Sequence, residues 1–78
     1  MPNSTDILSS IAEHLGLFAE DLDPKALLRE DLNLGPVELN DLLNFLSKKY
    51  QIVFELEDTE NLKTVEDLVA LVEDNLIA

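Results

Sequence analysis

One apolar spacing occurs twice in this chain, and it limits the fold more than any other feature. Leu39, Leu42, Leu43, Leu46 and Tyr50 fall at i, i+3, i+4, i+7 and i+11, and Val65, Leu68, Val69, Val72 and Leu76 repeat those offsets. Only a helical period places such a set on one side of the backbone, so each stretch predicts a helix with one face committed to a core. A chain of 78 residues has little room for a second core, so the two faces are expected to meet in a single all-α domain spanning residues 1–78.

The helix ends are marked by their own chemistry. Gly35-Pro36 starts the helix that runs to about Tyr50, because proline at the first helical position gives up no intrahelical hydrogen bond. Lys48 and Lys49 suit the negative end of its dipole. Thr64, followed by Glu66 and Asp67, opens the last helix with a cap and acids in the first turn. A third helix is expected from about residue 5 to about residue 15, with Ser4 or Thr5 as cap, Ile7, Leu8, Ile11 and Leu15 on the buried face, and Gly16 as the stop. Glu57–Leu62 allows a turn or two of helix, and Gln51–Glu55 reads as an extended connector pinned by Ile52 and Phe54.

Residues 17–35 form a long first loop rich in apolar side chains: Leu17, Phe18, Leu22, Leu27, Leu28, Leu32 and Leu34. So many cannot all face water, so the loop is expected to pack over the helices. Asp23-Pro24 followed by Lys25–Leu28 predicts a short helical turn capped by Asp23. On the helix that starts at Pro36, Val37 and Phe45 lie off the apolar stripe. One is expected to be covered by the loop and the other to remain exposed as a contact residue.

Charge narrows the partners. Seventeen acids against five bases give a formal net charge of −12, beyond the roughly 2–8 that keeps a small domain soluble. That field repels nucleic acid and anionic membranes and favours basic protein surfaces. No cysteine is present, so neither a disulfide framework nor a thiolate metal site is available. His14 is the only histidine and is expected to be a partly exposed helix residue. Asp21 and Asp23 alternate as calcium ligands can, but the glycine and distal glutamate of a calcium loop are missing. Nothing gathers titratable groups into a catalytic constellation, so no enzyme and no metal are expected. Met1-Pro2-Asn3-Ser4 lacks the basic and apolar regions of a secretory signal, and the expected setting is a soluble, cytoplasmic monomer without membrane attachment.

These features together resemble the acyl carrier protein family, over nearly the whole chain and without a gap. Glu30-Asp31-Leu32 resembles the family's acidic tripeptide before the attachment loop. Leu42, Leu46, Tyr50, Ile52 and Phe54 resemble its second-helix core and the aromatic tail that follows. Thr64-Val65 with Asp67-Leu68 resembles the start of its last helix. The resemblance implies a four-helix bundle with three main helices, one short helix and a long first loop.

The departure falls on the family's most diagnostic motif, an Asp-Ser-Leu triplet whose serine hydroxyl carries the phosphopantetheine arm. Here Gly35, Pro36 and Val37 occupy those positions, and Asn33 replaces a glycine in the preceding loop. Phosphopantetheine is therefore not expected. The family docks basic partner enzymes through an acidic second helix. Of that pattern Glu38 and Asp41 remain, while Asn44, Ser47, Lys48 and Lys49 replace an often acidic run. The resemblance and the departure together imply a non-acylated accessory module, with Gly35, Val37, Glu38 and Asp41 contacting the basic surface of an acyl-transfer or condensing enzyme. The alternative is a non-covalent carrier that sheathes an acyl chain among Phe18, Leu28, Leu46, Ile52 and Phe54.

Overall fold

The computed structural model describes residues 3–77; Met1 and Pro2, part of the start that bears on the secretory-signal expectation, lie outside them. Helix α1 spans Ser4–Leu15, and its cap is Asn3, not Ser4 or Thr5. The Asp6 amide donates to the Asn3 side chain at 2.9 Å and the Asn3 amide to the Asp6 carboxylate at 3.2 Å, so two orphan donors are satisfied reciprocally. Ser4 is thereby freed for a different task, donating its hydroxyl to Glu73 at 2.9 Å. Gly16 ends the helix at φ 77°, the left-handed conformation that glycine adopts without a Cβ penalty. Ile7, Ile11 and Ala12 are buried, while Leu8 and Leu15 are half-buried, so the inner face is rotated slightly from the expected one.

That rotation brings Ser10 into the interior. Its hydroxyl donates to the Asp6 carbonyl at 3.0 Å, and a hydroxyl has a single hydrogen to give. Tyr50 must then be the donor in the 2.8 Å contact between the two side-chain oxygens. This pair fastens α1 to the far end of helix α2, Pro36–Tyr50.

The first loop is irregular apart from a 3-10 turn at Ala19–Asp21. The expected helical turn after Asp23 is instead a tight turn. The Asp23 side chain accepts from the Lys25 amide at 2.9 Å and its carbonyl from Ala26 at 2.9 Å, which satisfies the backbone locally and leaves no helix to propagate. The loop packs as expected through Leu22, Leu28 and Leu34, but Leu17, Phe18 and Leu27 are exposed, Phe18 by 72%.

Helix α3, Leu56–Glu60, follows an extended connector in which Ile52 is buried and Phe54 half-buried. Helix α4, Val65–Ile77, starts at a junction shared with the first loop. The amides of Val65 and Glu66 donate to the carbonyls of Ala26 and Pro24 at 3.0 and 2.8 Å, and the Asp67 amide donates to the Thr64 hydroxyl at 3.2 Å. Three N-terminal donors that a helix cannot satisfy internally are thus met, two of them by the loop backbone. An isolated antiparallel bridge pairs Leu27 with Thr64 at the same place.

Helix α1 packs against both α2 and α4. The core between them holds Ile7, Ile11, Leu42, Leu46, Val65, Leu68 and Val72, joined by Leu22, Leu28 and Leu34 of the loop. The all-α architecture, with three main helices and one short one, is as the sequence implies. Among the described residues no helix is long and apolar enough to cross a membrane.

Candidate functional site

The four residues expected to meet a partner lie together at the start of α2, each in a different situation. Gly35 is the N-cap at φ −78° and ψ 179°, an ordinary extended conformation. Its amide donates to Glu38 Oε1 at 3.1 Å, so the Glu38 carboxylate folds back over the first turn. A Cβ at Gly35 would lie 2.8 Å from that same oxygen, close enough to displace the end of the glutamate but nothing more rigid. Pro36 is the first helical residue. Val37 stands out at 76% exposure.

Asp41, one turn further, is held from α1. Its Oδ2 lies 2.8 Å from His14 Nε2, and the imidazole stacks on Phe45 with centroids 4.3 Å apart and planes 15° from parallel. Lys49 Nζ lies 5.8 Å from the centre of the same ring. Phe45 is thus covered by His14 of α1, and Val37 is the exposed member of the off-stripe pair. His14 is partly exposed as expected, but it also joins two helices. The sequence signal for that link was weak: only a lone histidine and an off-stripe aromatic on different helices.

The loop reaches this site through a turn that needs a left-handed residue. Asn33 adopts φ 56°, a conformation that asparagine tolerates better than most non-glycine residues. Upstream, the Leu27 amide donates to the Asp31 carboxylate at 2.7 Å and the Asp31 amide to the Leu27 carbonyl at 3.0 Å, which closes the turn before the site.

Chemically, the first turn of α2 offers one carboxylate and apolar side chains and no hydroxyl. The chain's serines and threonines stand elsewhere. Ser4, Thr5, Ser9 and Ser10 are on α1; Ser47 donates to the Ile52 carbonyl, Thr59 to that of Leu56, and Thr64 caps α4. No group of three or more histidine, aspartate or glutamate residues suited to a metal ion occurs among the described residues.

Of the five residues expected to sheath an acyl chain, four lie in or against one core cluster and the fifth stands apart. Leu28, Leu46 and Ile52 are packed into the core, and Phe18 is on the surface. Only Phe54 faces an open cleft of about 330 Å³ between α2 and α3, with Leu43, Val53 and Leu56 among its other walls. Close packing has claimed the interior positions.

No protein-family model matches the chain. Curated relatives do. The chain is 31% identical to the acyl carrier protein of Helicobacter hepaticus over 75 residues, which are 96% of this chain and 99% of that one. It is 34% identical to the acyl carrier protein of Exiguobacterium sibiricum over 68 residues, 87% of this chain and 86% of that one. With the acyl carrier protein of Chlamydia caviae it shares 31% identity over 67 residues, 86% of this chain and 87% of that one.

Proposed function

The chain belongs to the acyl carrier protein family, and from that premise we propose that it is a member without a prosthetic arm, acting as a protein-interaction module of an acyl-carrier-type pathway. The observation that carries this reading is Pro36 at the first position of α2. Phosphopantetheine attaches in this family through a serine oxygen at the position matched by Pro36, and proline has no side-chain oxygen to form the phosphodiester. The residues at this helix start therefore do not fit that group. The backbone around them stays suited to the family's use of it: Gly35 has N-cap geometry, and Asn33 supplies the left-handed turn where the family has glycine.

In this reading the chain is a cytoplasmic, monomeric binding partner and not an enzyme. It meets a basic surface of an acyl-transfer or condensing enzyme through Gly35, Val37, Glu38 and Asp41, and binds no nucleic acid or membrane. The 76% exposure of Val37 supports that use, because it leaves an apolar side chain open to a partner beside Leu15 and Leu34.

Affinity purification of the tagged chain from its native host tests both halves. The intact mass is expected to equal that of the unmodified polypeptide, even with a broad-specificity phosphopantetheinyl transferase co-expressed. A specific co-purifying protein is expected, and Val37→Asp is expected to release it. The double variant Gly35→Asp, Pro36→Ser is expected to gain the phosphopantetheine mass, since it places a serine hydroxyl at the attachment position behind an aspartate whose carboxylate can cap the first-turn amides. A prosthetic-group mass on the native sequence, or a partner indifferent to Val37→Asp, overturns the proposal.

A further inference from the structure

An open groove of about 230 Å³ lies between α1 and α4, lined by Ser4, Leu8, Pro24, Glu66, Val69 and Glu73 and by no residue of α2. Two contacts fix its ends. The Ser4 hydroxyl donates to Glu73 Oε2 at 2.9 Å, and the Glu66 amide donates to the Pro24 carbonyl at 2.8 Å. Leu8, Pro24 and Val69 supply an apolar floor between them. Glu66 and Glu73 are seven residues apart, a spacing that keeps both on one face of α4. At 1.5 Å per residue their backbone positions are about 10.5 Å apart, so an acid stands at each end of the floor. Among the described residues no cation pairs with either of them. Glu73 also lies towards the negative end of α4, where the helix dipole does not favour it. Its Oε1 keeps its lone pairs for an incoming donor.

We propose that this groove seats an amphipathic helix of a partner protein, one that carries lysines at i and i+7 with a leucine between them at i+4. Spacing selects a helix. Two helices packed almost parallel or antiparallel rise at the same rate, so lysines two turns apart reach glutamates two turns apart while the leucine meets the floor. An extended segment presents one face at steps of about 6.8 and 13.6 Å, and neither matches. Charge selects lysine, whose aliphatic stem adds cover to the floor while its ammonium stays at the rim. A fatty acid would bring its own carboxylate against Glu66 and Glu73. A second copy would bring a net charge of −12 against an equal charge. The groove shares no residue with the start of α2, so it stands or falls apart from the accessory reading.

The test is amide-resolved NMR of the full chain, titrated with a capped helical peptide of this pattern. A second peptide of identical composition carries its lysines at i and i+5, which puts them on different faces. About 0.15 M salt screens diffuse attraction beyond roughly 8 Å. The first peptide is expected to shift the amides of Ser4, Leu8, Glu66, Val69 and Glu73, and to bind at least about threefold more tightly than the second. Glu66→Gln and Glu73→Gln are each expected to weaken it about threefold. Glu73→Gln keeps an acceptor for the Ser4 hydroxyl, so its loss reports the charge and not the end contact. Equal binding of the two peptides, shifts centred on Val37 and Asp41, or shifts spread over the whole surface overturn the groove. So do unchanged affinity in both glutamine variants and self-association through these residues as the chain is concentrated.

Discussion

At the start of α4, Asp67 accepts from the backbone amides of Thr64 and Lys63 at 3.1 and 3.2 Å. The Thr64 amide is the main reason its carboxyl is held below the ordinary value. Burial opposes this, and the Lys63 amide, the Thr64 hydroxyl and the Lys63 charge add to the lowering. A folded-state value below the unfolded one means stability that is fully present above the unfolded carboxylate value of about 3.9 and lost as pH falls through the lower folded value. Asp67→Asn is therefore expected to melt slightly below the native chain at pH 7, with the gap closing in acid. The check is the difference in melting temperature between the two chains from pH 7 to pH 3. The gap should be small, since the carboxylate is exposed and solvent screens it. Asp67 was legible in the sequence as part of a Thr-x-x-Asp helix start. The cap of α1 is not legible in this way, because Asn3, Ser4 and Thr5 are all capping residues and only the three-dimensional reach of each side chain selects Asn3.

The first loop is the element whose behaviour depends most on its surroundings. Leu28 and Phe18 look equally apolar in sequence, yet Leu28 is 1% exposed and Phe18 72%. The difference comes from the junction with α4: Leu28 donates its amide to the Lys63 carbonyl at 2.8 Å, which turns its side chain under the loop and into the core. Leu28→Ala is expected to cost about 2–5 kcal/mol through lost burial and a residual cavity, while Phe18→Ala should fall within about 0.5 kcal/mol of the native chain. Urea unfolding midpoints at equal slope measure both. The helices α2 and α4, by contrast, needed no such help. Their stripes and end signals lie within one stretch of chain, and the observed spans Pro36–Tyr50 and Val65–Ile77 start where those signals place them.

Over the whole molecule, the radius of gyration of 11.3 Å is close to the roughly 11.5 Å of a compact chain this long, and the net charge of −12 is confined within it. Among the described residues the one close pair of opposite ionisable groups is His14 with Asp41, so most carboxylates have no direct counter-charge. Self-repulsion of this kind destabilises the compact state and is relieved by screening. The melting temperature is expected to rise as sodium chloride increases from low to physiological levels, and to rise further with millimolar magnesium. Calorimetry measures this directly, and a fall between low and physiological salt would count against it.

The sequence by itself determined the all-α class, both long amphipathic helices, the glycine and proline that end α1 and begin α2, and the absence of any hydroxyl at that beginning. Each is written in neighbouring residues, where helical period and capping chemistry act over a few positions. Tertiary structure alone decided what joins distant positions. It paired Ser10 with Tyr50, stacked His14 on Phe45 beside Asp41, capped α4 with the carbonyls of Pro24 and Ala26, and left Val37 outside. It also gathered Leu28, Leu46 and Ile52 into one core with Phe54 against it and left Phe18 at the surface. A one-dimensional pattern says which face of a helix is apolar, but not which neighbour will cover it, because that depends on how whole helices settle against one another.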